Sequence, residues 1–257
     1  MGIIMIFPFV WMIVTSLKTN TEATRIPPTF FPDRLIWDNY PKALHSLPFG
    51  ALFLNTFLMM AFRVILAVVT SSMAGYAFAK INFPFKKILF TIVLVQLMLP
   101  PQIFILPQYR MVASLKLLNT VTALVVPGMV SAFGVFFLRQ FYISLPNSLA
   151  EAAELDGCNQ WQTFTKVLLP LTTSSLVALA IFTAVFAWSD LMWPLIVNMS
   201  IEKMTLASGL ASIRGQFFTD YPLLMAASFI AMIPMIILYL LFQRQFIEGI
   251  AMTGTKG

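Results

Sequence analysis

Four stretches without an acidic or basic side chain constrain this chain more than any other feature. Lys87 and Arg110 enclose 22 residues, Lys116 and Arg139 enclose 22, Lys166 and Asp190 enclose 23, and Asp220 and Arg244 enclose 23. A bilayer core of roughly 30 Å takes about 20 apolar residues as a helix, because lipid offers no partner to an unpaired N–H or C=O. Two more runs join them: 1–17, ahead of Lys18, and 51–79, which only Arg63 interrupts. The expected architecture is therefore all-α and polytopic, a single membrane domain over 1–257 with six spans near 1–17, 51–79, 88–109, 117–138, 167–189 and 221–243. The run Leu191–Ile201 is too short to cross and reads as an extracytoplasmic or re-entrant segment.

Composition agrees. Hydrophobic residues make up 59% and charged residues 10% of 257, too few charges for the shell of a soluble domain. This excludes a soluble enzyme, a disordered chain and a nucleic-acid-binding module. The net charge of +6 comes from cations scattered along the chain, Lys86-Lys87 being the one adjacent pair, rather than from a patch. One cysteine, Cys158, excludes a disulfide framework, and one histidine, His45, argues against an all-protein zinc site. The N-terminal run lacks a basic n-region and an A-x-A-like site, so it reads as a span rather than a cleaved signal. The stretch 18–50 carries Pro27, Pro28, Pro32, Pro41 and Pro48 and cannot be one helix. It reads as an outer loop or cap with short helical turns.

Six spans put both termini on one side. With the N-terminus inside, seven cations fall in inner loops and eight in outer ones, so the positive-inside rule leaves orientation open. The segment Leu145-Pro146-Asn147-Ser148-Leu149-Ala150-Glu151-Ala152-Ala153-Glu154-Leu155-Asp156-Gly157 is more informative. Ser148 and Glu151 have the spacing of a capping box, the alanines favour helix, and Gly157 suits the left-handed position that ends one. The spacing places Leu149, Ala152 and Ala153 on one face, flanked by Glu151, Glu154 and Asp156. A helix of about two turns is too short to hold itself in water. It lies on the membrane surface or in a protein groove, and the groove fits better because the inner leaflet is itself anionic.

Glu151-Ala152-Ala153, Asp156-Gly157 and Val167-Leu168-Leu169-Pro170 together resemble the EAA loop of bacterial ABC importer permeases. The resemblance runs along nearly the whole chain and is strongest to carbohydrate permeases of the MalG-like type. It includes Ser16-Leu17-Lys18, Phe53-Leu54-Asn55-Thr56, Ala74-Gly75-Tyr76-Ala77-Phe78-Ala79, Phe83-Pro84-Phe85-Lys86-Lys87, Leu118-Asn119-Thr120, Leu138-Arg139-Gln140-Phe141, Trp188-Ser189-Asp190-Leu191-Met192-Trp193-Pro194-Leu195, and the tail from Gln243-Arg244-Gln245-Phe246 to Lys256-Gly257. Cys158 and Ser189 stand where that family commonly has Ala and Asn.

The resemblance implies the type I, MetI-like permease fold, with 145–166 as the cytoplasmic coupling segment. Ser148, Glu151, Ala152, Ala153, Glu154, Asp156 and Gly157 would couple to an ATPase, and both termini would lie in the cytoplasm of a bacterial inner membrane. It also implies a second permease subunit, a cytoplasmic ATPase dimer, an extracytoplasmic solute-binding protein and surrounding lipid as partners, and a sugar or oligosaccharide as cargo. No G-x-x-x-x-G-K-[ST] loop occurs, so ATP and Mg belong to the ATPase, and this chain needs no cofactor or metal and is no enzyme.

Two ionisable residues stand apart. Arg63 lies inside the second run, where it either faces the pathway or a partner subunit, or snorkels to the outer interface. Asp190 sits beside Trp188 and Trp193, which suit an outer aromatic belt, and either touches substrate or serves an interface. Ser71, Gly75 and Ala79 form a small-residue stripe for close helix packing. Two alternatives remain: an ABC permease for another polar solute such as glycerol phosphate, and a gradient-driven secondary carrier.

Overall fold

The computed structural model describes the backbone of residues 2–213 and 219–254, and side chains over 4–213, 219–237, 239, 240 and 243. Among these residues every regular element is helical. Arg214, one of the eight outer-loop cations, and the tail motif from Arg244 onward lie outside the described side chains.

Among the residues whose side chains are described, one helix, Phe49–Lys80, is long and apolar enough to cross a bilayer unbroken. Its 32 residues extend about 48 Å at the α-helical rise. The runs 88–109, 117–138 and 167–189, expected as spans, are each broken instead. Lys86–Met98 and Pro101–Ser114 meet at 108°, Val121–Gly128 and Ala132–Ser144 at 43°, and Gln160–Leu171 and Thr173–Ser189 at 78°. Proline explains the positions. Leu99 and Pro100 each precede a proline and are extended, at ψ 139° and 130°, because a following pyrrolidine ring disfavours the helical region. Pro127 and Pro170 each remove a backbone donor near the other two breaks. The first helix, Gly2–Ser16, has 15 residues and is shorter than a full span, whereas the last, Tyr221–Gly254, runs for 34 residues, with its apolar side chains described from Tyr221 to Ile237.

The chain divides into two compact units. The first comprises residues 1–56 and 190–241. Here the proline-rich stretch folds over the end of the first helix, Gly2–Ser16, with the expected short turns at Asn20–Ala23 and Asn39–Ser46. Asn39 donates to the carbonyls of Ser16 and Lys18 at 2.8 and 2.9 Å, satisfying acceptors that the helix end leaves open. Lys18 is buried, with its ammonium on the Thr29 carbonyl and 5.0 Å from the Trp11 ring. Asn55 donates to the Glu202 and Met204 carbonyls, and Thr56 accepts from the Leu206 amide.

The second unit comprises 57–189 and 242–257. Its core gathers Tyr76, Phe137, Leu138, Tyr142, Phe164, Leu168, Ala178 and Leu179. The small-residue stripe lets two helices approach. A Cβ at Gly75 would sit 3.0 Å from the Arg139 amide nitrogen, and one at Gly134 would collide with Ser71. The long helix Phe49–Lys80 and the helix Ala132–Ser144 thus pack backbone to backbone along Ser71 and Gly75.

Candidate functional site

The segment 145–162 forms a short helix, Asn147–Leu155, followed by a turn and a second helical start at Gln160. Pro146 precedes it in extended conformation, and no side chain caps its start. The expected Ser148–Glu151 capping box is therefore absent. Ser148 already occupies the second helical position, so its hydroxyl cannot serve as the cap, and Glu151 lies in the second turn. The capping box of this region belongs to Asn159 and Gln162 instead, which bond each other's backbone amides at 2.9 Å.

The other end agrees with expectation. Gly157 has φ +83°, the Gly157 amide donates to the Glu154 carbonyl at 3.0 Å, and the Cys158 amide donates to the Ala153 carbonyl at 2.9 Å. These two bonds are the Schellman pair that closes a helix onto a left-handed residue.

The short helix has one inward and one outward face. Ala153 is buried, and Leu149 packs on the core around Tyr76 and Tyr142. Ala152 does not join them: it is exposed, together with Ser148, Glu151 and Leu155. These four residues follow the i, i+3, i+4, i+7 spacing of a single stripe. Leu155 is 89% exposed, which is unusual for a leucine in an ordered helix. Asp156 is exposed beside it, and Trp161 adds an aromatic ring at 59% exposure. Glu154, by contrast, accepts from the Gln160 side chain at 2.8 Å.

Two residues of the long helix hold this segment, and the sequence reading did not single out either as a site residue. Lys80 donates to the Leu145 carbonyl and to Asn147 Oδ1, both at 2.7 Å. Tyr76 donates to Gln160 Oε1 at 2.7 Å. The only sequence signal was a tyrosine embedded in the small-residue stripe, with a lysine one turn on.

Arg63 is buried at 9% exposure, and its Nε donates to the Leu124 carbonyl at 2.8 Å. It does not snorkel. In an unbroken helix that carbonyl would accept from Gly128, so the break frees it and the guanidinium takes it up. Gly128 makes room: a Cβ there would lie 2.6 Å from Arg63 Cδ. Asp190 is half-buried, and its carboxylate accepts from the Trp193 amide at 3.4 Å at the start of the helix Met192–Val197. Trp193 is buried and so does not stand at a protein–lipid boundary of its own chain. No cluster of metal-ligating side chains occurs among the described residues.

Residues 67–251 match the family of binding-protein-dependent transport system inner membrane components. The chain belongs to that family. Curated relatives extend the match beyond these residues. The arabinooligosaccharides transport system permease protein AraQ of Halalkalibacterium halodurans is 36% identical over 99% of this chain and 92% of the relative. AraQ of Bacillus subtilis is 32% identical over 100% of this chain and 92% of its own length. The sn-glycerol-3-phosphate transport system permease protein UgpE of Yersinia enterocolitica is 31% identical over 96% of this chain and 91% of its own length. The fold is also that of a chain in a bacterial ABC transporter involved in the import of the acidic polysaccharide alginate. The two superpose with a TM-score of 0.81 at 20% identity, covering 95% of this chain and 92% of the other. The all-helical permease fold expected from the sequence is thus the observed one, and the chain is a transport permease component of the inner-membrane type.

Proposed function

We propose that this permease is a membrane subunit of an ATP-driven importer, forms half of the pathway for a sugar or oligosaccharide, and is driven through its exposed short helix. The observation that carries the reading is the stripe Ser148, Glu151, Ala152 and Leu155, open on one side while Leu149 and Ala153 lock the other. An exposed leucine at the end of an acidic-flanked stripe whose back is packed fits a groove with an apolar floor and basic rim. Such a groove belongs to a cytoplasmic ATPase dimer, which holds ATP and Mg. The site residues Ser148, Glu151, Ala152 and Leu155 make the contact. Ala153, Gly157 and the Glu154–Gln160 bond shape the segment, and Asp156 adds charge at its edge.

In this reading six spans cross the inner membrane, the three bent pairs each counting as one, with both termini cytoplasmic. A second permease subunit completes the pathway, and an extracytoplasmic solute-binding protein delivers cargo. Closure of the ATPase dimer carries the short helix with it, and the spans exchange inward-open and outward-open arrangements. A gradient-driven carrier fits less well, since carriers place ionisable relays in mid-membrane and Arg63 is engaged by its own chain's Leu124 carbonyl. The cargo follows the AraQ relatives; UgpE, nearly as similar, supports sn-glycerol 3-phosphate as a second reading.

Leu155→Asp should abolish copurification of the co-encoded ATPase while leaving membrane insertion intact. Full retention of the ATPase overturns the docking assignment, and cargo uptake by the isolated chain in nucleotide-free vesicles overturns the class. Uptake of labelled arabinotriose against labelled sn-glycerol 3-phosphate by the assembled importer separates the two cargo readings.

A further inference from the structure

No side chain caps the start of the short helix Asn147–Leu155, and two residues one turn apart at the end of the long helix tie the segment down instead. Lys80 reaches the entrance, donating to the Leu145 carbonyl and Asn147 Oδ1 at 2.7 Å each. Tyr76 reaches the exit, donating to Gln160 Oε1 at 2.7 Å, and Gln160 passes the connection on to Glu154 Oε1 at 2.8 Å. Between these points Leu149 packs against the cluster of Tyr76, Tyr142 and Phe164. Tyr76 is itself only 4% exposed, with its ring 5.0 Å from Phe164 and 5.9 Å from Tyr142. Both ends of the short helix are thus tied to one rigid span, and neither tie uses the exposed stripe.

A single tie would act as a pivot. Two ties at opposite ends, with an apolar contact between them, resist both rotation and sliding. Leu145 and Asn147 flank Pro146, where the chain is extended and no helical bond crosses; without Lys80, this point would bend under load. We infer that Tyr76 and Lys80 are positioning residues that make the short helix and the long helix move as one body, so that displacement of the former is delivered to the membrane span. Glu154, on this assignment, belongs to the grip through Gln160 rather than to the docking face. The inference rests on the docking assignment proposed above, but its test reads a different quantity.

The test uses the assembled importer in proteoliposomes, with spin labels at Met73→Cys and at the native Cys158, which is free and partly exposed. The distance between the labels is measured with and without a non-hydrolysable ATP analogue. In the otherwise native chain, and in Lys80→Arg, it should not change on nucleotide addition. In Tyr76→Phe/Lys80→Met the ATPase should still copurify, and nucleotide should shift the distance by roughly 2 Å or more, the scale of helix shifts in switching proteins. An unchanged distance in that double variant, with the ATPase retained, overturns the inference. So does a shift already complete without nucleotide, which would mark a static brace, or loss of the ATPase, which would mark residues that merely maintain the docking face. Retention of the ATPase by Leu155→Asp is a separate result and counts against the docking assignment alone.

Discussion

The long helix carries two cations that do the same chemistry in opposite settings. Arg63 takes the Leu124 carbonyl at a break inside an expected span, and Lys80 takes the Leu145 carbonyl where the helix Ala132–Ser144 gives way to the short one. Both satisfy acceptors that a helix end leaves without a backbone donor, where a positive charge is also favoured by the helix dipole. Around Arg63 everything is enclosed: Gly128 has no side chain to spare, and a methyl group there would meet the arginine stem. Around Lys80 the inner face is packed and the outer face open, with Leu155 exposed. The same device therefore holds a bend shut in one place and, in the other, presents a surface while keeping its back rigid. Burial on all sides fixes a shape; burial on one side leaves a handle.

If that contrast holds, disturbing the open region should cost transport rather than stability. The largest effect is expected from Gly157→Val. Nothing lies within 4 Å of a Cβ built there, so the cost is that of a β-branched residue at φ +83°, on the order of 1–3 kcal/mol. ATP-driven uptake should fall about tenfold or more, with insertion unchanged; normal uptake in proteoliposomes would break the contrast at its open end.

At the closed end the reverse should occur. Gly128→Ala should lower stability by about 1–3 kcal/mol through overpacking, read as a drop in unfolding temperature in detergent. In an Arg63→Ala background the same substitution should cost much less, because the stem it collides with is gone. Additive losses in this double-mutant cycle would mean that Arg63 and Gly128 do not act together.

The smallest effect concerns charge on the exposed stripe. Glu151 sits in the second helical turn, so the dipole of its own helix contributes little, and the difference between Glu151→Lys and Glu151→Ala reflects the partner. Glu151→Lys should weaken ATPase retention more than Glu151→Ala, by about 0.5–1 kcal/mol for a solvent-screened charge contact. Pull-down at low and high salt checks this; equal retention by the two variants would remove charge from the docking account.

The site was legible where the rule is local. Gly157 could be placed because a left-handed helix end is decided by a few consecutive residues and by the lack of a Cβ. The Ser148–Glu151 pairing was misread because S-x-x-E spacing looks identical one residue inside a helix, and the true start was set by Pro146 and by Lys80, far away in sequence. The reading of Leu149, Ala152 and Ala153 as one face offered to a partner's groove failed for a similar reason, since Leu149 and Ala153 pack on the chain's own core and only Ala152 is exposed. Leu149, Ala152 and Ala153 share an arc, but which edge of that arc is covered depends on where Tyr76, Tyr142 and Phe164 stand.

The sequence by itself determined that this chain is a helical membrane permease. Charge-free runs of span length and the order of family motifs depend on hydrophobic transfer and on local backbone preference, both readable along one dimension. The tertiary structure decided which carbonyls the proline bends leave open to side chains, and which side chains of the long helix answer them. Those outcomes depend on residues about 60 positions apart meeting at hydrogen-bond distance, as Arg63 meets Leu124 (|i−j| 61) and Lys80 meets Leu145 (|i−j| 65). No local rule carries that information.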